Sequence, residues 1–382
     1  MSDRPRALIV SFSPIHRDAR VLRQLSVVAR HARVTTIGYG PAPAGSEEHL
    51  RIPDDAASLP QTVRGVLTLI ARRWRAAELA SPAARLSLEL VAGRRWDMVV
   101  ANDARALPVA FRLADGAPVW ADLHEWAPEE RSHVPVWKIL VAPLMDHLCR
   151  TYLPRCAATT TVGLAISELY EERYGVRPAV MRNTAPWTDL APTPVDGDTI
   201  RLVHSGGAVP GRRLETIIDV ADRLGEGYSL DLFLVPAKDG EAYLEGLRER
   251  ASSNPRVTFH PPVPATELPA TLNRFDLGVY WIPPYSRNAR LALPNKLFDF
   301  VQGRLAIAVG PSQEMESVVR EHDLGVVSED FDVASCVRSV AAMTRDDIAR
   351  FKSNAHAASR PLSFESDAEV ADGVVRTLLS AG

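Results

Sequence analysis

The chain has 382 residues, too many for one compact core and enough for two domains of ordinary size. Its 46% hydrophobic and 24% charged residues are those of a soluble globular protein, and a net charge of −3 gives no general affinity for nucleic acid. Cys149, Cys156 and Cys336 are few, odd in number and without metal-like spacing, so neither a disulfide framework nor a zinc site is expected and a reducing, cytoplasmic setting fits best.

The N-terminus enters a strand directly, ALIVSF, and no apolar stretch approaches ~18 residues, so neither a signal segment nor a membrane span is expected. Apolar runs then alternate with helical patterns. RVTTIGY, WDMVVAN, PVWADLH, AATTTV and PAVMRN follow in the first half, and RLVHSG, LDLFLV, RVTFH, LGVYWI, LAIAVG and LGVVS in the second. Continuous apolar runs between helices predict parallel sheets covered on both faces, an α/β fold. Residues 184–199, TAPWTDLAPTPVDGDT, are proline-rich and aperiodic and read as an interdomain linker. The expected layout is an N-terminal domain over 1–190, a C-terminal domain over 199–358 and an amphipathic C-terminal helix over 359–382 that packs back toward the first domain. Two such halves predict a cleft at the carboxyl ends of both sheets, where open α/β sheets bind ligands.

Residues 60–96 carry seven arginines (64, 72, 73, 75, 85, 94 and 95) against Glu78 and Glu89, with Trp74 and Trp96 among them. The plain reading is a solvated basic face whose leucines pack inward. The other is a peripheral contact with an anionic membrane or an acidic acceptor. Residues 41–60 show no interpretable pattern.

Three places carry residues suited to chemistry. The turn HSGGAVPGRRLETII, residues 204–218, offers Gly206 and Gly207 for close backbone approach, and Arg212 with Arg213 near the start of the next helix. The stretch LPNKLFDFVQG predicts a short helix with Pro294 in its first turn, Leu297, Phe298 and Val301 inward and Gly303 at its end. Lys296 and Asp299 then share one face near the helix N-terminus, where unpaired N–H groups favour an anion, although an ordinary surface ion pair gives the same spacing. In the first half, PVWADLH runs into EWAPEE and brings Asp122, His124 and Glu125 to a strand end. The first βα turn, SFSPIHRDARVLRQ, has no G-x-G-x-x-G and offers Ser13, His16, Asp18 and Arg20 instead, with Asp18 a candidate helix cap. No G-x-S-x-G, Walker lysine loop, H-E-x-x-H or zinc spacing is present, which disfavours those hydrolases and NTPases.

Taken together, DARVLRQ, DLHEW, CRTYLPRCAATTTVGLAISELYEERYGVRP with MRN, HSGGAVPGRRLETII, and FDLGVYWI through LPNKLFDFVQGRLAIAVGPSQEM resemble the GT-B glycosyltransferases of family 4 over nearly the whole chain. The resemblance implies a GT-B architecture of two facing Rossmann-like domains, the second holding a nucleotide-sugar donor. It implies a retaining, metal-independent transfer of sugar, from a UDP-sugar by preference, to a natural product, saccharide or lipid-linked acceptor. The donor is then a substrate, and no cofactor is expected. By the same resemblance Arg212 and Lys296 bind the donor diphosphate, Asp299 stands where the family's ribose-binding glutamate sits, His124 contacts the transferred sugar, and the backbone around Val263 lies against the base. The chain departs from the family at Leu291, where a first glutamate is usual, so contact with the sugar there is lost or falls to the backbone of residues 289–293. A sugar-nucleotide 2-epimerase and a non-catalytic GT-B partner protein are the alternative readings.

Overall fold

A computed structural model describes residues 4–237 and 240–380. Two compact units form. The first contains residues up to Arg182, Ser286–Asn288, and the residues from Asp367 onward; the second contains Asn183–Tyr285 and Ala289–Ser366. Of the expected terminal segments, residues 1–3, 381 and 382 lie outside the described residues.

In the first unit seven strands pair in parallel: β1 (Arg6–Pro14), β2 (Arg33–Tyr39), β3 (Glu48–Ile52), β4 (Met98–Asn102), β5 (Val119–Leu123), β6 (Ala158–Thr161) and β7 (Ala179–Val180). Their order is β3-β2-β1-β4-β5-β6-β7. The second unit adds β8 (Ile200–Ala208), β9 (Tyr228–Pro236), β10 (Val257–His260), β11 (Leu277–Tyr280), β12 (Ala306–Val309) and β13 (Gly325–Val327), ordered β10-β9-β8-β11-β12-β13. Each sheet reverses its winding once, between β1 and β4 and between β8 and β11, and these switch points open crevices at the carboxyl ends of the strands.

All the expected strands form, and β3 is an addition. Its sequence, EHLRI, lies at the sheet edge with only Ile52 buried, so it has no apolar run to betray it in the sequence. The basic region is not one helix but three, Val63–Ile70, Trp74–Ala77 and Pro82–Leu90, with Arg72 at φ 50° breaking the first from the second.

The second unit is packed from both faces of its sheet. Leu297, Phe298 and Val301 are buried in one of its two clusters, as their spacing requires. The helix runs Asn295–Gln302, so Pro294 is its N-cap rather than its first helical residue, and the cap has no side-chain hydrogen bond. Phe300, also fully buried, lies against β11: a Cβ at Gly278 would come 2.5 Å from its ring. The bare strand therefore sets how closely the helix carrying Lys296 approaches the sheet.

Residues 183–199 have no regular structure, yet they are fastened to the second unit. The buried Arg304 donates to the carbonyls of Leu190 (3.1 Å) and Thr188 (2.5 Å), Thr188 N–H donates to Gln302, and Thr193 Oγ donates to the carbonyl of Asn273. In the first unit, the helix Phe364–Ser380 places Asp367 against Arg182 and Asp372 against His31.

Overpacking a full core costs about 1–3 kcal/mol. Gly278→Val is therefore expected to lower the unfolding free energy of the second unit by that amount and to weaken any ligand held by Lys296, measured by urea denaturation and by calorimetry.

Candidate functional site

Each unit gathers polar residues at the carboxyl ends of its strands. In the second unit β8 ends in the glycine pair. A methyl group at Gly206 would lie 3.5 Å from Cε of Lys296 and 3.6 Å from Nε2 of His204, and one at Gly207 would lie 3.6 Å from Nη1 of Arg212. Two cations thus stand beside a backbone stripped of side chains. Gly211, at φ 88°, makes the turn that carries Arg212 there. The next helix, Glu215–Leu224, begins three residues later, and Tyr243 Oη links its start by accepting from Leu214 N–H and donating to Glu215.

Lys296 Nζ donates to Asp299 Oδ2 at 2.9 Å, and both side chains are more than two-thirds buried, so the pair is not an ordinary surface one. Among the described residues, Oδ1 of Asp299 accepts no hydrogen bond. The uncapped helix start adds N–H groups that favour an anion. His204, unremarked in the sequence beyond its place before the glycines, is buried and donates from Nδ1 to the carbonyl of Val279 at 2.8 Å. Burial pushes its pKa down to about 4, and the nearby Lys296 and Arg212 push the same way. It is therefore a neutral imidazole whose Nε2 faces Gly206 as an acceptor. Beside this cluster a cavity of about 190 Å³ is lined by Arg212, Tyr280, Tyr285, Ala289, Pro294 and Ser312. Val263 follows β10 and packs against the buried cluster containing Leu293 and Leu297. Leu291 is itself buried and apolar.

In the first unit the hub is Asp122, fully buried on β5. It accepts from Arg20 Nε (2.9 Å) and Nη2 (2.6 Å), from Gln24 (3.1 Å) and from Thr160 Oγ (2.7 Å). Arg20 and Gln24 are one helical turn apart, which explains the spacing in DARVLRQ. Burial alone would raise the Asp122 pKa, but Arg20 and His124 hold it well below the carboxylate range. Asp18 caps the helix Ala19–His31 by accepting from Val21 N–H and also accepts from Ser13, so its role is structural.

His124 is one-fifth exposed, with Nε2 3.1 Å from Asn102 Oδ1 and 3.5 Å from Asp122, and Nδ1 3.5 Å from Asp103. Burial opposes its charging, yet Asp103 and Asp122 raise its pKa above the usual value. Asp103 went unnoticed in the sequence; it holds φ 65°, a conformation costly for a residue with a Cβ, and its carboxylate also accepts from the His124 N–H at 3.1 Å. The Glu125 carboxyl is pushed up to about 8 by burial and by Glu130 and Asp103, and it accepts from Asn288 Nδ2 at 3.0 Å. Of the first-turn residues Arg20 is the one hydrogen-bonded to this network among the described residues; Ser13 bonds Asp18 instead, and a Cβ at Gly40 would meet the ring of His16. A hollow of about 560 Å³, lined by Pro5, Trp96, Pro118 and Leu378 among others, lies at the amino ends of the strands and holds no predicted site residue.

No protein-family model and no curated protein matches the chain. Among solved structures, HepE of Anabaena in complex with UDP superposes with TM-score 0.72 at 13% identity, over 99% of this chain and 100% of that one. Sucrose-phosphate synthase from Thermosynechococcus elongatus gives 0.69 at 12% identity over 99% and 100%. An α,α-trehalose-phosphate synthase (UDP-forming) from Burkholderia vietnamiensis gives 0.68 at 12% over 98% and 100%. These likenesses show the GT-B fold, as the sequence motifs led one to expect.

Arg20→Met leaves Asp122 buried without its cation and is expected to destabilise the first unit by about 3–5 kcal/mol in urea unfolding. Glu125 has a folded pKa above its unfolded one, so stability falls as pH rises from the unfolded value, near 4.5, toward about 8. Glu125→Gln should remove that decline and raise Tm above pH 5, by roughly 2–4 °C for each kcal/mol recovered, as differential scanning fluorimetry across pH 5–9 would record.

Proposed function

We propose that the chain is a retaining glycosyltransferase that moves a sugar from a nucleotide-diphosphate sugar, UDP-linked by preference, to a hydroxyl acceptor. The observation that carries this reading is the convergence of Lys296 and Arg212 on the Gly206–Gly207 backbone beside an uncapped helix start. An anion with several oxygens satisfies all three donor types at once. The HepE structure with UDP and the UDP-forming synthase add support for a uridine diphosphate donor.

In the reaction the bond between the anomeric carbon and the β-phosphate oxygen breaks, and negative charge grows on the departing diphosphate. Arg212 and Lys296 act there, where stabilisation lowers the barrier. They supply the charge neutralisation that a divalent ion supplies elsewhere. The acceptor oxygen bonds to the same face of the sugar, and its proton passes to the leaving phosphate oxygen, so no strong protein base enters. Asp299 takes a ribose hydroxyl with Oδ1. His124 hydrogen-bonds the transferred sugar, and Asp122, sealed by four donor contacts, orients the imidazole without touching substrate. The buried, apolar Leu291 offers no acid–base group, which counts against epimerisation.

Titration calorimetry with UDP, GDP, ADP, dTDP and CDP in EDTA tests the donor site. One diphosphate is expected to bind selectively, and Lys296→Ala to weaken it by about 1.5–3 kcal/mol, the worth of a charge-assisted hydrogen bond. Binding that ignores the substitution, or no binding at all, would transfer the case to a non-catalytic partner protein.

A further inference from the structure

Among the described residues, ten large apolar side chains are exposed, and six of them lie in two segments: Val63, Leu67 and Ile70, and Val134, Val136 and Ile139. The helix Val63–Ile70 lies beside the turn Trp137–Val141, so these side chains share one region of the first unit. The expectation that the leucines pack inward is thus met by Leu69, 4% exposed, but not by Leu67, which is 59% exposed. A hollow of about 780 Å³ lined by Leu67, Ile70 and Leu79 opens here with Arg64, Arg73 and Arg85 on its rim.

The charge of this region is of one sign. Residues 56–77 and 131–145 contain no aspartate or glutamate, while Arg64, Arg72, Arg73, Arg75, Arg131 and Lys138 are all exposed. No carboxylate among the described residues pairs with any of these except Glu130, which reaches Arg131 at 4.0 Å and is itself held by Arg105. A soluble face spends no such area on Val, Leu and Ile, and a chain of net charge −3 has carboxylates to place among them. A second copy of the chain would set six cations against six, which disfavours an isologous contact.

We infer that this face docks on the surface of an anionic lipid bilayer. Val63, Leu67, Ile70, Val136 and Ile139 enter the acyl boundary, and the arginines and Lys138 meet the headgroups, the division of labour of interfacial amphipathic segments. No helix among the described residues is long and apolar enough to cross a membrane, so the contact is peripheral.

Flotation of the full chain with phosphatidylcholine vesicles and with mixed phosphatidylcholine–phosphatidylglycerol vesicles tests this, with diphosphate binding as the check that variants are folded. Partition onto the anionic vesicles only, weakened by salt, is expected. Neutralising a cation near the surface lowers partitioning roughly fivefold, so Arg64→Gln/Arg73→Gln/Arg75→Gln should lower it on the order of 100-fold. Leu67→Asn/Ile139→Asn, at exposed positions, should also release the protein. The inference is overturned if anionic vesicles recruit no more protein than neutral ones, or if either variant floats like the parent. It is equally overturned if light scattering shows a dimer that the Leu67→Asn/Ile139→Asn variant dissolves, since the face then belongs to a second copy.

Discussion

A strand buried on both faces has nowhere along its length to show a polar side chain cheaply. Burying an ionised carboxylate costs several kcal/mol unless it is paired and hydrogen-bonded. Parallel sheets therefore push their chemistry to the carboxyl ends, and where a charge does stay inside, everything around it must answer it. Asp122 is such a charge. All of β5 is buried, so a guanidinium and an amide from the helix Ala19–His31 and a hydroxyl from β6 close on its two oxygens. That closure fixes the angle between the helix Ala19–His31 and the sheet, and through Asn102, which donates to Gln24, it sets the rim on which His124 sits.

The second unit resolves the same constraint in the opposite way. Its strand β8 ends not in a charge but in two glycines, and the charges come from the turns around it. Lys296 has a carboxylate partner, whereas Arg212 reaches the glycine backbone without one among the described residues. His204, which could add a third cation, is kept neutral by burial. The cluster thus retains excess positive charge in a partly desolvated place, an unfavourable arrangement for an empty pocket and a favourable one for a polyanion. In the first unit the polar network is complete in itself; in the second, Arg212 is left without a carboxylate among the described residues.

This difference explains what the sequence disclosed. The glycine pair, Arg212, Lys296 and Asp299 sit in local patterns, a βα turn and a helix start, whose geometry follows from spacing. So did the strands, because burial on both faces writes a continuous apolar run. β3 did not, since an edge strand facing water carries EHLRI and needs no such run. Asp103 was hidden for another reason: its importance rests on φ 65° and on contacts to His124, twenty-one residues away, and neither leaves a local mark. The role of Arg20 was equally long-range, for its partner lies 102 positions on. Residues 184–199 look like a free tether by composition, yet the buried Arg304 supplies the donors that their proline-rich backbone needs.

The chain's use of basic residues follows the same logic. Among 44 lysines and arginines only four are lysine, and two of these are in the second unit's interior or its site. Lys352 is buried, and its ammonium meets Thr193 Oγ at 2.9 Å, the carbonyl of Phe275 at 2.7 Å and Asp276 at 3.5 Å, three acceptors around one compact head. A planar guanidinium fork cannot converge on three such points. Lys296 faces a related demand, holding Asp299 while standing 3.5 Å from where a Gly206 Cβ would be. Arg212, by contrast, approaches Gly207 from an open turn, where a fork that spreads over two oxygens is the better donor. On the proposed reading, one point charge and one fork divide the site between them, the first set by the room beneath the helix and the second by the width of a diphosphate across both glycines.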